Sequence, residues 1–259
     1  AGFLKFADLP ETDKTYDYTL DVVKTGPSDA IVIGPPLEGK GWVAADGCCD
    51  AVRHIRAIMP TNDRLRAAQR FAIDWERMNG ERKIYSGDPK DVTSYFAYGQ
   101  RALAVADAKV AAAVDKYKDQ VPGALPPGMT LEEADGNHVV LDLGGGKYAL
   151  YAHFKPGSVK VKAGDTVKRG QVLGIVGNTG NSSAPHLHFH VMDGPSTFGS
   201  NGLPYVIDSF ELIEKIPSTD AFDKAEADGT PVEVVPVDRQ GTHTNELPLD
   251  QNVVDFRAD

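Results

Sequence analysis

The segment Ala184-Pro185-His186-Leu187-His188-Phe189-His190-Val191 sets three imidazoles on alternate residues. An imidazole can hold a metal through one ring nitrogen or carry a proton near neutral pH. Leu187, Phe189 and Val191 alternate with the histidines, the period of a strand with one buried face. His186, His188 and His190 then share the opposite face, neighbours about 7 Å apart and the outer pair about 13 Å, at roughly 3.4 Å of rise per residue. Adjacent rings can share one metal, or one can bind it while the next handles a proton. The outer two are too far apart for one ion to bridge, so His188 is the central member.

Other candidates are weaker alone. Asp74 stands near the end of an expected strand at residues 69–75, and a lone carboxylate there says little. His153 lies in an expected strand at 147–154, where cross-strand packing is the alternative to a role in the site. His54, flanked by Arg53 and Arg56, reads as structural unless the chain around it folds over the histidine strand.

Closely spaced short strands must carry these groups. Residues 102–105 and 110–114 suit a hairpin of small residues. Residues 137–143 lead through Gly144-Gly145-Gly146 into 147–154, and strands follow at 159–162 and 169–177, with a last one at 205–210. Frequent turns between short strands predict a mostly β fold with antiparallel pairing. Residues 78–99 and 120–133 are rich in polar residues, glycine and proline, and read as loops. Before residue 60, strands are expected at 16–23 and 30–33, with 38–42 a turn. In the tail, 231–237 suits an edge strand against 18–23.

The chain has 259 residues and a net charge of −10, which argues against nucleic acid or an anionic membrane as the main partner. From Glu214 to Asp259 eleven acids and four bases give −7, so the tail carries most of it. No apolar run reaches the length of a membrane span, which predicts a soluble chain. The cysteines, Cys48 and Cys49, are adjacent. That spacing favours free thiols or a structural turn over a disulfide, and it lacks the C-x-x-C pattern of a thiolate metal site.

In order and spacing, Tyr151-Ala152-His153, Gly164-Asp165-Thr166-Val167, Gly170-Gln171-Val172-Leu173-Gly174, Gly177-Asn178-Thr179-Gly180 and Ser183-Ala184-Pro185-His186-Leu187-His188-Phe189 resemble the lysostaphin-type (LytM-like) zinc endopeptidases. These enzymes cut peptides of bacterial peptidoglycan. The resemblance implies an antiparallel β-sheet peptidase domain over residues 65–212, with the metal in a groove of the sheet. Residues 1–64 are then an extended lead-in and 213–259 an acidic C-terminal extension. It also implies zinc as cofactor, a peptidoglycan or related peptide as substrate, and an extracytoplasmic location, periplasmic or secreted.

Carried over by position, His188 and Asp74 are zinc ligands, and His153 and His186 are the catalytic pair that handles protons and stabilises the oxyanion. One position departs. Arg70 stands where the family has a zinc-binding histidine, and a guanidinium has no lone pair to donate. A catalytic zinc wants three protein ligands. His190, where the family has a glutamate, is the nearest replacement, and His54 a longer-range one.

A second reading is a degenerate module that binds a peptide or partner and regulates another cell-wall hydrolase. There Arg70 points inward and pairs with Asp74 in place of the metal. A lipoyl- or biotinyl-type carrier shares the pattern of residues 164–173 but needs a lysine at a hairpin tip, and none stands there.

Overall fold

The computed structural model describes residues 30–49, 53–61, 64–123, 125 and 127–257, so the expected strand at 16–23 lies outside them. The fold is mostly β. Among the described residues its main sheet has eleven strands. Ten form one continuous path: β1 (Gly39–Ala45), β2 (Ile73–Arg77), β3 (Ala108–Val114), β4 (His138–Gly144), β5 (Lys147–Ala152), β6 (Thr166–Val167), β7 (Leu187–Met192), β8 (Phe210–Lys215), β9 (Gly241–His243) and β10 (Asn252–Phe256). Their order across the sheet is β6-β3-β4-β5-β7-β2-β1-β10-β8-β9. All these pairings are antiparallel, whereas the small outlying pair Ile31–Ile33 with Tyr205–Ile207 is parallel.

β7, the histidine strand, lies at the centre because both its neighbours match its alternation. Phe189 stands opposite Ile73 on one side and Tyr151 on the other, while His188 stands opposite Asp74 and Ala152. One face therefore buries Trp42, Trp75, Tyr151, Leu187, Phe189 and Val191 in the main core. The other face carries two smaller apolar patches. Val140, Leu150, Ala152 and Met192 form one, and Val43, Ala45 and Val253 belong to the other. The histidines and Asp74 occupy the strip between them.

A helix covers the second patch. α1 (Leu131–Ala134) is a single capped turn, but α2 (Thr219–Asp228) has ten residues. The Ser218 hydroxyl accepts the Ala221 N–H at its start, and Gly229 ends it with φ of 65°, a left-handed conformation that glycine adopts without steric cost. Phe222 and Ala225, one turn apart, face the patch.

The structure departs from the sequence reading at several points. Residues 38–42 are not a turn: β1 begins at Gly39 and runs between β2 and β10. Its glycines at 39 and 41 have positive φ, which hid a strand inside turn-like composition. Residues 159–162 form no strand, and Val235 makes one bridge to Lys215 rather than joining an edge strand. The acidic tail supplies α2, β9 and β10. Cys48 and Cys49 are disulfide-bonded, not free. Among the described residues no helix is long and apolar enough to cross a membrane.

Candidate metal and catalytic centre

Strand register assembles the site. His188 pairs with Asp74 across β7 and β2, and Asp74 pairs with Ala45 across β2 and β1. His153 follows directly on β5, whose last residue pairs with His188. The Asp74 carboxylate is the hub: its Oδ1 lies 2.8 Å from His188 Nδ1 and 3.4 Å from His186 Nε2, and its Oδ2 lies 3.4 Å from His54 Nε2. The His153 ring lies 4.7 Å from His186 and 5.9 Å from His188, centroid to centroid.

Backbone carbonyls fix which nitrogen each ring presents. His54 Nδ1 donates to the Asp46 carbonyl at 2.9 Å, His153 Nδ1 to Thr179 at 2.7 Å and His186 Nδ1 to Ala184 at 2.7 Å. A carbonyl can only accept, so all three rings carry their proton on Nδ1 and present Nε2 to the site. His188 is turned the other way. Its Nδ1 faces Asp74 and its Nε2 lies 3.0 Å from His190 Nδ1, so a proton on His188 Nε2 leaves Nδ1 with a free lone pair.

Electrostatics separate the rings. Burial and the neighbouring His186 and His188 push the His153 pKa well below its usual value, which keeps that ring neutral. Burial also opposes charge on His186, but Asp74 outweighs it and raises the pKa. At His54 burial is again overcome, by Asp74 and then Asp46, and the pKa rises to about 9. Asp74 is held well below the usual carboxylate range: its burial is outweighed by His54, His186 and His188.

A tetrahedral zinc with ligands at about 2.0–2.1 Å keeps neighbouring donor atoms roughly 3.3 Å apart. Donor atoms of His54, Asp74 and His188 lie within 4.8 Å of one another, and those of His153, His186 and His188 do likewise. The first set suits zinc better, because it includes a carboxylate beside two imidazoles, the mixed donor set that catalytic zinc takes. His190 sits behind His188, away from Asp74, with Nε2 buried and unpartnered. Arg70 lies in a turn before β2. It is exposed, its guanidinium 5.3 Å from the centre of the Phe71 ring, and it makes no ion pair with Asp74.

Several residues that sequence reasoning passed over hold the site. Asn137 is fully buried: its Oδ1 accepts the Lys116 and Tyr117 amides, and its own amide N–H donates to Thr179 Oγ1. Thr179 in turn orients His153. His153 itself has φ of 66°, an uncommon conformation for a non-glycine residue, held by its N–H to the Asp135 carbonyl and by the Gly177 N–H to its own carbonyl. Asp135 also lines a cleft of about 440 Å³ along the sheet face, with Tyr117, Leu131, His138 and Phe198. The cleft does not include the four clustered histidines. Asp135 links the two.

Residues 91–198 match the family model described as Peptidase family M23. That stretch is similar to M23 peptidases and makes up under half of the chain. Over 57 residues it is 40% identical to the peptidoglycan DD-endopeptidase ShyA of Vibrio cholerae, covering 22% of this chain and 13% of that protein. Over 42 residues it is 55% identical to lysostaphin of Staphylococcus simulans, covering 16% of this chain and 8% of that protein. The chain thus spans a small part of either relative. The catalytic domain of lysostaphin from the same organism aligns over 63% of this chain and 84% of its own at 22% identity, with a TM-score of 0.33. His153, His186, His188 and His190 lie inside the M23-matched residues, whereas Asp74 and His54 precede them.

Proposed function

We propose that this protein is a zinc-dependent endopeptidase that cuts peptide bonds in bacterial peptidoglycan or a related peptide. The observation that carries the reading is the in-register Asp74–His188 pair at 2.8 Å, with further imidazole nitrogens at 3.4 Å. The similarity to a peptidoglycan DD-endopeptidase supports the substrate class. Peptidoglycan lies outside the cytoplasmic membrane, so the same reading places the protein there.

Asp74 and His188 hold the metal together with a third histidine. Zinc bound there supplies Lewis acidity, polarising the scissile carbonyl and making the attacking water more acidic. The chain's own groups divide the proton work. His153, kept neutral with Nε2 exposed to the site, accepts the proton of the attacking water. His186, whose raised pKa favours the charged form, donates from Nε2 to the developing oxyanion and then to the leaving amine. The cleft beside Asp135 receives the peptide.

Arg70 gives the regulatory reading no support, since its guanidinium lies over Phe71 rather than against Asp74. The test is incubation of the zinc-loaded protein with purified peptidoglycan, followed by mass spectrometry of the soluble products. New amine and carboxyl termini at a peptide bond are expected. Intact cross-links and stems after exposure to protein carrying stoichiometric zinc would sink the proposal.

A further inference from the structure

Arg70 removes one ligand, and the structure offers two replacements on opposite sides of His188. His190 contacts the His188 nitrogen that faces away from Asp74, at 3.0 Å. His54 comes from the side of Asp74. The residue is 8% exposed, and its ring stands edge-on to His188, with centroids 5.0 Å apart. Because its Nδ1 is already satisfied by the Asp46 carbonyl, only Nε2 is free to act. That atom lies 3.4 Å from Asp74 Oδ2, long for a hydrogen bond and close to the spacing of two ligands on one tetrahedral ion.

The segment bearing His54 is tied down on both sides. Asp46 directly follows Ala45, the residue paired with Asp74. Arg53 donates from Nη1 to Asp46 Oδ2 at 2.9 Å and from Nη2 to Asp223 Oδ2 on α2 at 2.5 Å. Gly47 donates its N–H to Asp250 at 3.0 Å, and Asp250 also accepts from Thr219 at the start of α2. The Asp46 end of the Arg53 clamp is buried, with the carboxylate side chain 8% exposed, whereas the Asp223 end is open to solvent at 41%. The Asp46 contact is thus the stronger half, since exposed ion pairs contribute little.

We propose that His54 is the third metal ligand, supplied from outside the M23-matched residues in place of the histidine lost at Arg70, and that Arg53 positions it through Asp46 and Asp223. This rests on the zinc reading above. His190 then acts by accepting the His188 Nε2 proton, which keeps Nδ1 free for the metal, and is not itself a ligand.

The experiment measures zinc affinity of metal-stripped full-length protein by competition with a chromophoric chelator, and the visible spectrum of the cobalt(II)-loaded form. His54→Asn keeps a donor for the Asp46 carbonyl while removing Nε2. It and His54→Ala are expected to weaken zinc binding by at least about 100-fold and to change the cobalt spectrum, whereas His190→Ala weakens binding by about tenfold and keeps the spectrum. Arg53→Ala should cost about tenfold in affinity without altering the saturated cobalt spectrum or the melting of the metal-free protein, with Arg53→Lys recovering most of the loss. Circular dichroism confirms that each variant is folded, and His54→Asn carries the test if His54→Ala is not. Zinc affinity of His54→Asn within threefold of the parent overturns the ligand assignment, as does a larger loss in His190→Ala. Arg53→Ala with parental affinity overturns the positioning role. A parent protein that takes up no zinc instead defeats the zinc reading itself, which is a separate outcome.

Discussion

The M23-matched residues and the segments flanking them satisfy their buried polar groups to different degrees. Inside residues 91–198, His153 and His186 are anchored by backbone carbonyls, and Asn137 uses its oxygen and both its donors. Among the described residues, only His190 Nε2 in that span is a buried side-chain polar atom without a partner. In the flanks Arg66 Nε, Trp75 Nε1, Glu76 Oε2, Tyr205 OH, Glu226 Oε1 and Gln251 Oε1 are all unpartnered. The lesson concerns division of labour. The matched residues hold firmly the two histidines proposed above to handle protons, while the flanks bring the carboxylate and a further imidazole, on surroundings with less complete hydrogen bonding.

The largest effect expected separates metal from turnover at the junction of the two regions. His188→Ala removes the one histidine that contacts both Asp74 and His190. Under the proposed function it abolishes stoichiometric zinc by elemental analysis and lowers peptidoglycan cleavage to background. Asp74→Asn should do the same from the flank, because a neutral amide replaces the only carboxylate of the set. If either variant keeps full zinc, the junction is not where the metal sits.

The matched residues have their own signature. His153→Ala should cut kcat by about 10²- to 10⁴-fold, the usual contribution of a positioned proton acceptor, while zinc content stays at the parental level. Loss of zinc in that variant, measured on the same samples, would move His153 into the ligand set and erase the division between the two regions.

How much of this could be read from residues alone follows the same line. The alternation of Leu187, Phe189 and Val191 with histidines located β7 and its faces, because period-2 patterning is a local signal, whereas the proposed catalytic roles of His153 and His186 came only from the family resemblance of the motifs from Tyr151 to Phe189. β1 was hidden since Gly39 and Gly41 look like a turn, and only pairing with β2 and β10 makes them a strand. α2 was hidden by an acidic composition whose two buried residues, Phe222 and Ala225, matter only once Val43 and Val253 lie beneath them. Arg70 was expected on the strand of Asp74, but the chain turns there, and Phe71 takes a φ of 66°. The nearness of His54 to Asp74 depends on contacts across 20 residues of sequence that no local pattern encodes.

A smaller, pH-dependent effect probes the flanks. Glu76 on β2 and Glu226 on α2 are buried acids that influence one another. Burial and the nearby Asp223 raise Glu226 from 4.5 to about 7. Its folded pKa exceeds the unfolded one, so the folded state binds the extra proton between those values. Stability from this group is therefore full below about 4.5 and is lost as pH rises through about 7. Glu226→Gln should leave melting at pH 5 nearly unchanged and raise it at pH 8, by at most about 3 kcal/mol from the linkage of one pKa unit to 1.36 kcal/mol. Parallel melting profiles for variant and parent across this range would show that the flank tolerates its acids without cost.

The smallest effect is expected at Arg70, and its smallness is what makes it informative. An exposed guanidinium over an aromatic ring contributes about 0.5–1 kcal/mol, and Arg70 makes no ion pair with Asp74. Arg70→Ala should thus lower the melting midpoint by about 1–4 °C for a chain of this size, and change zinc affinity less than about twofold, far below the tenfold that loss of an orienting partner costs. The regulatory alternative demands the opposite. A guanidinium standing in for the metal would be the main counter-charge of a carboxylate buried among rings, and removing it would destabilise the fold by several kcal/mol, as breaking a buried ion pair does. It would also strengthen zinc binding, because a cation would have left the ligand position. A large drop in melting together with a gain in zinc affinity would therefore place Arg70 inside the site and reassign the flank from ligand donor to metal substitute.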